Sequence, residues 1–345
     1  EPDFCHDGHM HLTSSKARWA ALFAASALAL AGCSSVTTGK ATVTSSSSSG
    51  TTAAALACPS PASARKGTID DQITFEGLNR TYRLWIPQTY DGSAALPIIV
   101  NYHGTGGDPQ SIDDFSSNLS VKANSRSYIV VAPQGDKGDA VTPRWTVPGI
   151  GTTPDDVSFT NAMLDKISSE FCVDQKRIYA TGFSSGGAMT TWLGQTDSEK
   201  IAAIVPGGGI NLVDPSLQRF PIPVFAYHGT KDDTAFFAGI GGVPNKPDPK
   251  TAGTFAFFGG VEDDMTYWAA KNGCQPNFTD TKLAPDAILR TWAGCKAATQ
   301  LLLAVGGGHT FPGGTTRLGG ALGATITDVN MADLMLNWFD TQKKA

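Results

Sequence analysis

Charge is scarce in this sequence. Only 17% of its 345 residues are Asp, Glu, Lys or Arg, and the formal net charge is −5. Such a chain gives no reason to expect nucleic acid or an anionic membrane surface as its main partner. No Gly-rich phosphate loop and no dinucleotide fingerprint is present, so nucleotide chemistry has no foothold. Cysteine is sparse, six in all, and no Cys-x-x-Cys or Cys/His spacing points to zinc. Internal repeats are absent. What is plentiful is glycine (38) and proline (20), which fits a loop-rich enzyme better than a helical bundle. With 41% hydrophobic residues the chain can bury one large core or two small ones.

The first 32 residues do not read as part of a fold. From Met10 the chain runs through a basic stretch (Lys16, Arg18) into an apolar run, Trp19 to Leu30, too short to span a bilayer comfortably. This is the pattern of an export signal. It ends in Leu30-Ala31-Gly32-Cys33, which resembles the bacterial lipoprotein box, so Cys33 is the expected lipidation site and membrane anchor. Ordinary signal cleavage is the alternative. Residues 1–9 look like upstream translation or a misplaced start. Cys5, His6, His9 and His11 have metal-binding side chains but sit in the segment that export would remove. Residues 33–62, with Ser-Ser-Ser-Ser-Ser-Gly at their centre, bury too little to fold and read as a tether. The folded domain is expected over 63–345. Its Cys172, Cys274 and Cys295, with Cys58 just before it, are an even set, as two disulfides in an exported protein require. Cys274 and Cys295 are the nearest in sequence, but sequence alone permits three pairings.

Within the folded part, Thr81–Pro87 alternates like a strand. Leu96–Tyr102 and Tyr128–Ala132 are continuous apolar runs, as in strands buried on both faces. Asp156–Phe171 has helical spacing of its apolar residues, with Asp155 and Asp156 as capping candidates. Arg177–Thr181, Ile201–Val205, Val224–Tyr227 and Gln300–Val305 read as further strands, Gly186–Leu193 and Asn330–Trp338 as helices. Strands alternating with helices imply a mainly parallel sheet covered on both faces, the α/β class. Ala235–Glu262 is long for a connection and reads as a functional loop.

The sharpest chemical signal is Gly182-Phe183-Ser184-Ser185-Gly186-Gly187, a G-x-S-x-G between a strand-like and a helix-like run. Glycines let the backbone turn sharply, and the serine is offered at a helix N-terminus. Ser184 has the elbow spacing; Ser185 is its rival. A serine hydroxyl needs an adjacent base. His6, His9 and His11 lie outside the fold, while His103 and His228 end strands before Gly104 and Gly229. That leaves His309 in Gly306-Gly307-Gly308-His309, after a predicted strand. Asp232, just past the Val224–Tyr227 strand, is the expected acid, with Asp233 as competitor. The order Ser, Asp, His is that of α/β-hydrolases. An oxyanion hole needs two backbone N–H groups; Ser185 and Thr105, in His103-Gly104-Thr105-Gly106-Gly107, are the expected donors. Trp145, in a Pro-rich loop, either flanks an aromatic or sugar substrate or is a core tryptophan.

Taken together, YRLWIP, NYHGTGG, DDVSF, FCVDQKRIYATGFSSGGAM, YHGTKD, YWAAKNGC and GGGHTFPG resemble the polyhydroxybutyrate depolymerase/feruloyl esterase family of α/β-hydrolases, in the family order from about Cys58 to Pro312. The resemblance implies the α/β-hydrolase fold, Ser184-Asp232-His309 as triad, carboxylic-ester hydrolysis without a cofactor, and disulfides Cys274–Cys295 and Cys58–Cys172. Three departures bear on specificity: Ser185 where relatives often have Asn or Ala, HGT where they have HGC or HGG, and Phe311 where they usually have Trp. Phe311, with Trp145, is therefore expected against the substrate. Feruloyl or acetyl esters of plant polysaccharide, polyhydroxybutyrate or an aromatic polyester are the expected substrates of an exported, lipid-anchored monomer. The rival readings are a tethered binding protein that has lost catalysis and a serine peptidase.

Overall fold

The computed structural model describes residues 58–60, 62–137, 142–148, 154–197, 199–239, 259–314 and 320–345. The signal-like segment with Cys33, nearly all of the tether and most of the 235–262 loop lie outside these residues. Ten strands form one sheet in the order β1-β2-β4-β3-β5-β6-β7-β10-β9-β8. They are β1 (Gly67–Phe75), β2 (Leu78–Ile86), β3 (Leu96–Tyr102), β4 (Ile129–Pro133), β5 (Val173–Phe183), β6 (Ala203–Gly207), β7 (Val224–Gly229), β8 (Phe278–Ala284), β9 (Ala287–Trp292) and β10 (Thr299–Ala304). The middle run β4-β3-β5-β6-β7-β10 is parallel, and antiparallel strands finish both ends. This is the mainly parallel sheet that the strand–helix alternation predicts.

The continuous apolar runs are explained by burial on both faces. In β3, Ile98, Val100 and Tyr102 enter one core while Ile99 enters the other; Leu301 and Leu303 of β10 oppose Leu302 in the same way. The first core is covered by α3 (Asp156–Glu170), α4 (Ser185–Thr196) and α5 (Val261–Lys271), through Phe159, Met163, Met189, Leu193, Met265 and Trp268. The second is covered by α1 (Pro109–Phe115), α2 (Leu119–Ser125) and α6 (Met331–Phe339). Each fully buried Leu, Ile or Phe contributes about 1.5–3 kcal/mol, so the two layers hold the sheet rigid beneath its loops.

Several elements differ from the sequence reading. β5 begins at Val173, four residues before Arg177, and α5 begins at Val261, two residues inside the expected 235–262 loop. β1 and the β8–β9 hairpin extend the sheet at its edges. The disulfides are Cys58–Cys172 and Cys274–Cys295. The first fastens the chain ahead of β1 to the end of α3; the second joins the segment after α5 to that after β9.

Candidate active site

Five neighbouring parallel strands, β3, β5, β6, β7 and β10, end on one side of the sheet, and the loop after each carries part of the site. Ligands of open α/β sheets bind outside these carboxyl ends.

β5 leads directly into α4 through Ser184, whose φ is 59° and ψ −122°. A non-glycine residue at positive φ is strained. The surrounding packing enforces the turn. Ser184 N–H donates to Gly207 O at 2.9 Å, and Ser184 O accepts from Ala188 N–H at 2.9 Å. The flanking glycines are required by contact: a Cβ on Gly186 would lie 2.1 Å from Tyr102 O, and one on Gly182 2.5 Å from Gly186 O. Ser184 is half-buried, while Ser185 is only 2% exposed with its hydroxyl unpartnered. That burial removes Ser185 as a rival nucleophile. As the first residue of α4 its N–H has no intrahelical acceptor.

The acid and the imidazole meet because β7 and β10 pair in parallel. Their loops are stitched together by Thr230 N–H to Ala304 O, Lys231 N–H to Gly307 O, both 2.9 Å, and Gly306 N–H to Thr230 Oγ1 at 2.8 Å. The approach is so close that a Cβ on Gly229 would stand 2.1 Å from Gly308 O. His309 Nδ1 lies 2.7 Å from Asp232 Oδ2, with both side chains buried. Asp232 Oδ1 accepts from the N–H groups of Thr234 (2.9 Å) and Ala235 (2.8 Å). Burial alone would raise the pKa of this carboxyl, but the hydrogen bonds from His228 and His309 outweigh it and hold it well below the usual range. Asp233 is exposed and makes no such contact, so of the two candidates it is Asp232 that meets the ring.

Ser184 and His309 flank the turn after β6. A Cβ on Gly209 would be 2.4 Å from Ser184 O, and one on Gly208 3.1 Å from His309 Cε1. Phe183, the residue before the serine, packs 4.6 Å from the imidazole. His309 Nε2 is buried and makes no hydrogen bond, so the serine hydroxyl is not yet bonded to it. Nucleophile–base contacts often tighten only when substrate binds.

The loop after β3 lies beside the serine: a Cβ on Gly104 would come 3.4 Å from Ser184 Cβ. His103 Nδ1 is 2.7 Å from Gly104 O, which also accepts from Gly107 N–H at 3.0 Å. Gly135 N–H donates to His103 Nε2 at 2.9 Å, which places the ring proton on Nδ1. These ties fix the Gly104–Thr105 peptide, and in a trans peptide the Thr105 N–H then points away from the tethered carbonyl. Burial holds the His103 imidazole below its ordinary pKa, consistent with that uncharged state.

Two expected substrate contacts are corrected. Trp145 is 0% exposed and donates Nε1–H to His103 O at 2.7 Å; Tyr102 meets its ring edge-on at 5.0 Å. It is the core tryptophan and braces the loop carrying Thr105. Phe311 is 2% exposed, wedged against Phe115 and Tyr227, and presents no face to a ligand. Asp155 caps α3 by accepting from Ser158 N–H, whereas Asp156 is buried, accepting from Arg80 Nη2 and Thr146 N–H, both at 2.7 Å. Sequence reasoning missed the contribution of His228, whose Nε2 lies 3.1 Å from Asp232 Oδ2. The one available signal was its place four residues before that acid.

A strained serine turn between β5 and α4, beside a buried His309–Asp232 pair on this sheet, is the arrangement of the α/β-hydrolase fold. A structure of a thermostable esterase shares the fold over 80% of this chain and 63% of its own, with a TM-score of 0.52 and 14% identity. No family model matches the chain. Feruloyl esterase B of Piromyces equi is 29% identical over 232 residues, 65% of this chain. The bifunctional acetylxylan esterase/xylanase XynS20E of Neocallimastix patriciarum is 28% identical over 194 residues, 53% of this chain. The chain spans only 41% and 27% of the lengths of these two relatives. The chain is thus similar in sequence to feruloyl and acetylxylan esterases and shares the α/β-hydrolase fold.

Proposed function

We propose that the protein is a serine carboxylic-ester hydrolase acting through an acyl-enzyme. The observation that carries this is the pairing of a strained elbow serine with an imidazole whose Nδ1 is held at 2.7 Å by a buried carboxylate. With its proton on Nδ1, His309 keeps a bare Nε2 as the base. Ser184 Oγ attacks the ester carbonyl while Nε2 takes its proton. The oxyanion is received by Thr105 and Ser185 N–H. Nε2 then protonates the departing alcohol, and water repeats the sequence on the acyl-enzyme. Asp232 stays ionised, keeps the ring in the required tautomer and balances its transient charge.

The names of the relatives support feruloyl or acetyl esters of plant polysaccharide as substrates; polyhydroxybutyrate or an aromatic polyester is the second choice. Two disulfides fit an oxidising compartment and so an exported enzyme. Anchoring through a lipid on Cys33 is the corresponding proposal for its location.

The test is turnover of p-nitrophenyl acetate by wild type and Ser184→Ala, followed by methyl ferulate, acetylated xylan, polyhydroxybutyrate and an aromatic polyester. Wild-type turnover abolished by Ser184→Ala is expected. Background rates from both proteins would instead favour a binding protein on this scaffold, and preference for long-chain triglyceride would overturn the substrate ranking.

A further inference from the structure

The Asp232 carboxylate has a second imidazole. His228, near the end of β7, is fully buried, and its Nε2 lies 2.8 Å from Ala235 O and 3.1 Å from Asp232 Oδ2. Both neighbours only accept, so the proton is on Nε2. His228 Nδ1 is buried with no partner, and a proton there would have no acceptor. Phe237 meets the ring edge-on at 5.9 Å. The titratable groups facing this ring are Asp232 and, across the shared oxygen, His309.

We propose that His228 is a positioning residue for the Ser184–His309–Asp232 site: one Nε2–H, shared between Asp232 Oδ2 and Ala235 O, sets the carboxylate oxygen that His309 Nδ1 must meet. The inference rests on the esterase reading given above. Four N–H groups converge on Asp232: Thr234 and Ala235 on Oδ1, His228 and His309 on Oδ2. Three of them come from β7 and its own loop, whereas His309 arrives from the neighbouring strand. The carboxylate is therefore oriented before the base engages it, and turning it breaks bonds at both oxygens. His228 also clips the loop to itself, since Asp232 O accepts from Phe237 N–H at 3.4 Å while His228 holds Ala235 O in between. Pre-setting a catalytic hydrogen bond in this way lowers the reorganisation needed during reaction.

Three variants test the proposal. His228→Phe keeps ring volume and removes the donor. His228→Asn puts its amide near the former Nδ1, where nothing accepts. His228→Gln carries an N–H to the Nε2 position. With p-nitrophenyl acetate, Phe and Asn are expected to lose kcat by roughly 10- to 100-fold, the range spanned by a hydrogen bond to a charged group. KM should stay within about twofold, because the interaction is absent from ground-state binding. Gln should recover most of the loss. Equal kcat for all variants and wild type, or equal losses in Phe and Gln variants with unchanged thermal midpoints, overturns the proposal. If His228→Phe does not fold, the Gln and Asn variants still decide. Nitrogen-15 histidine NMR of the wild-type protein reads the tautomer independently of turnover. A slowly exchanging Nε2–H on His228 is expected; an Nδ1–H tautomer refutes the positioning role even if ester is turned over. Absence of wild-type turnover with the expected tautomer would refute the esterase reading instead.

Discussion

Replacing Asp232 by Asn should disable the site through a proton, not through lost packing. The side chains are nearly the same size, but the amide has one donor end and one acceptor end. Asp232 Oδ1 is held by two backbone donors, the N–H groups of Thr234 and Ala235. An NH₂ group cannot face them, so the amide oxygen must take that position. The NH₂ then falls at the Oδ2 position, 2.7 Å from His309 Nδ1. To accept that bond, His309 must give up its Nδ1 proton and carry it on Nε2, the atom required to receive the Ser184 proton. Flipping the amide would set its NH₂ against two backbone N–H groups, which cannot move their protons as the His228 and His309 rings at the Oδ2 position can. A wrong tautomer at a triad of this kind costs on the order of 10⁴-fold in kcat, equivalent to about 5.5 kcal/mol of barrier. The assay is p-nitrophenyl acetate kinetics for wild type, Asp232→Asn and Ser184→Ala as the floor, with melting curves to show that the variants fold. An Asp232→Asn protein keeping more than about a tenth of wild-type kcat would refute the assignment of the acid and the tautomer argument together.

The remaining predictions use other parts of the structure. Thr105→Pro removes a backbone donor and should lower kcat by roughly 10²–10³-fold, whereas Thr105→Ala, which keeps the N–H, should stay near wild type in the same assay. Gly186→Ala would put a methyl group 2.1 Å from Tyr102 O and 2.6 Å from His103 O, so it should both abolish turnover and lower the melting temperature measured by circular dichroism. Asp264 is fully buried with both carboxylate oxygens unpartnered, and burial, with the nearby charges of Asp214 and Asp263, pushes its pKa up to about 8. Its folded pKa is thus raised above the unfolded value of 3.8. The stability it allows is fully present below that value and falls as pH rises to about 8, by at most about 1.4 kcal/mol per pH unit. Asp264→Asn should therefore raise the melting temperature at pH 7 and leave it unchanged at pH 4; equal effects at both would refute the linkage.

The buried strands were legible because residues pointing to opposite faces were all apolar, and LPIIVNY matches β3 residue for residue. The edges were not. β8 is exposed along almost all of FTDTKLA, so no hydrophobic period marks it, and its pairing with β9 is set by the hairpin. β1 does alternate, through Ile69, Ile73 and Phe75, but its partly buried pattern was weak beside the continuous runs. α5 begins where a Gly- and Pro-rich stretch ends, and three acidic residues in its first turn obscure the start of its apolar face.

In the site, residues whose role follows from local backbone were readable, and residues whose role follows from hydrogen-bond direction were not. Ser184 is announced by glycines that the turn requires, and Asp232 and His309 by their positions just after predicted strands. His103, His228 and His309 look alike in sequence, each near a strand end beside glycine. The structure separates them by their acceptors. His103 gives Nδ1–H to a carbonyl and receives an N–H on Nε2, so both nitrogens are engaged. His228 directs Nε2–H at a carbonyl and a carboxylate. His309 gives Nδ1–H to that same carboxylate and leaves Nε2 without a partner. His228 also has a bare nitrogen, but it is Nδ1, on a ring buried against Phe237, whereas the His309 ring borders Gly208 in the turn that holds Ser184. A base must combine an unspent lone pair with proximity to the nucleophile, and of the three rings only His309 meets both conditions.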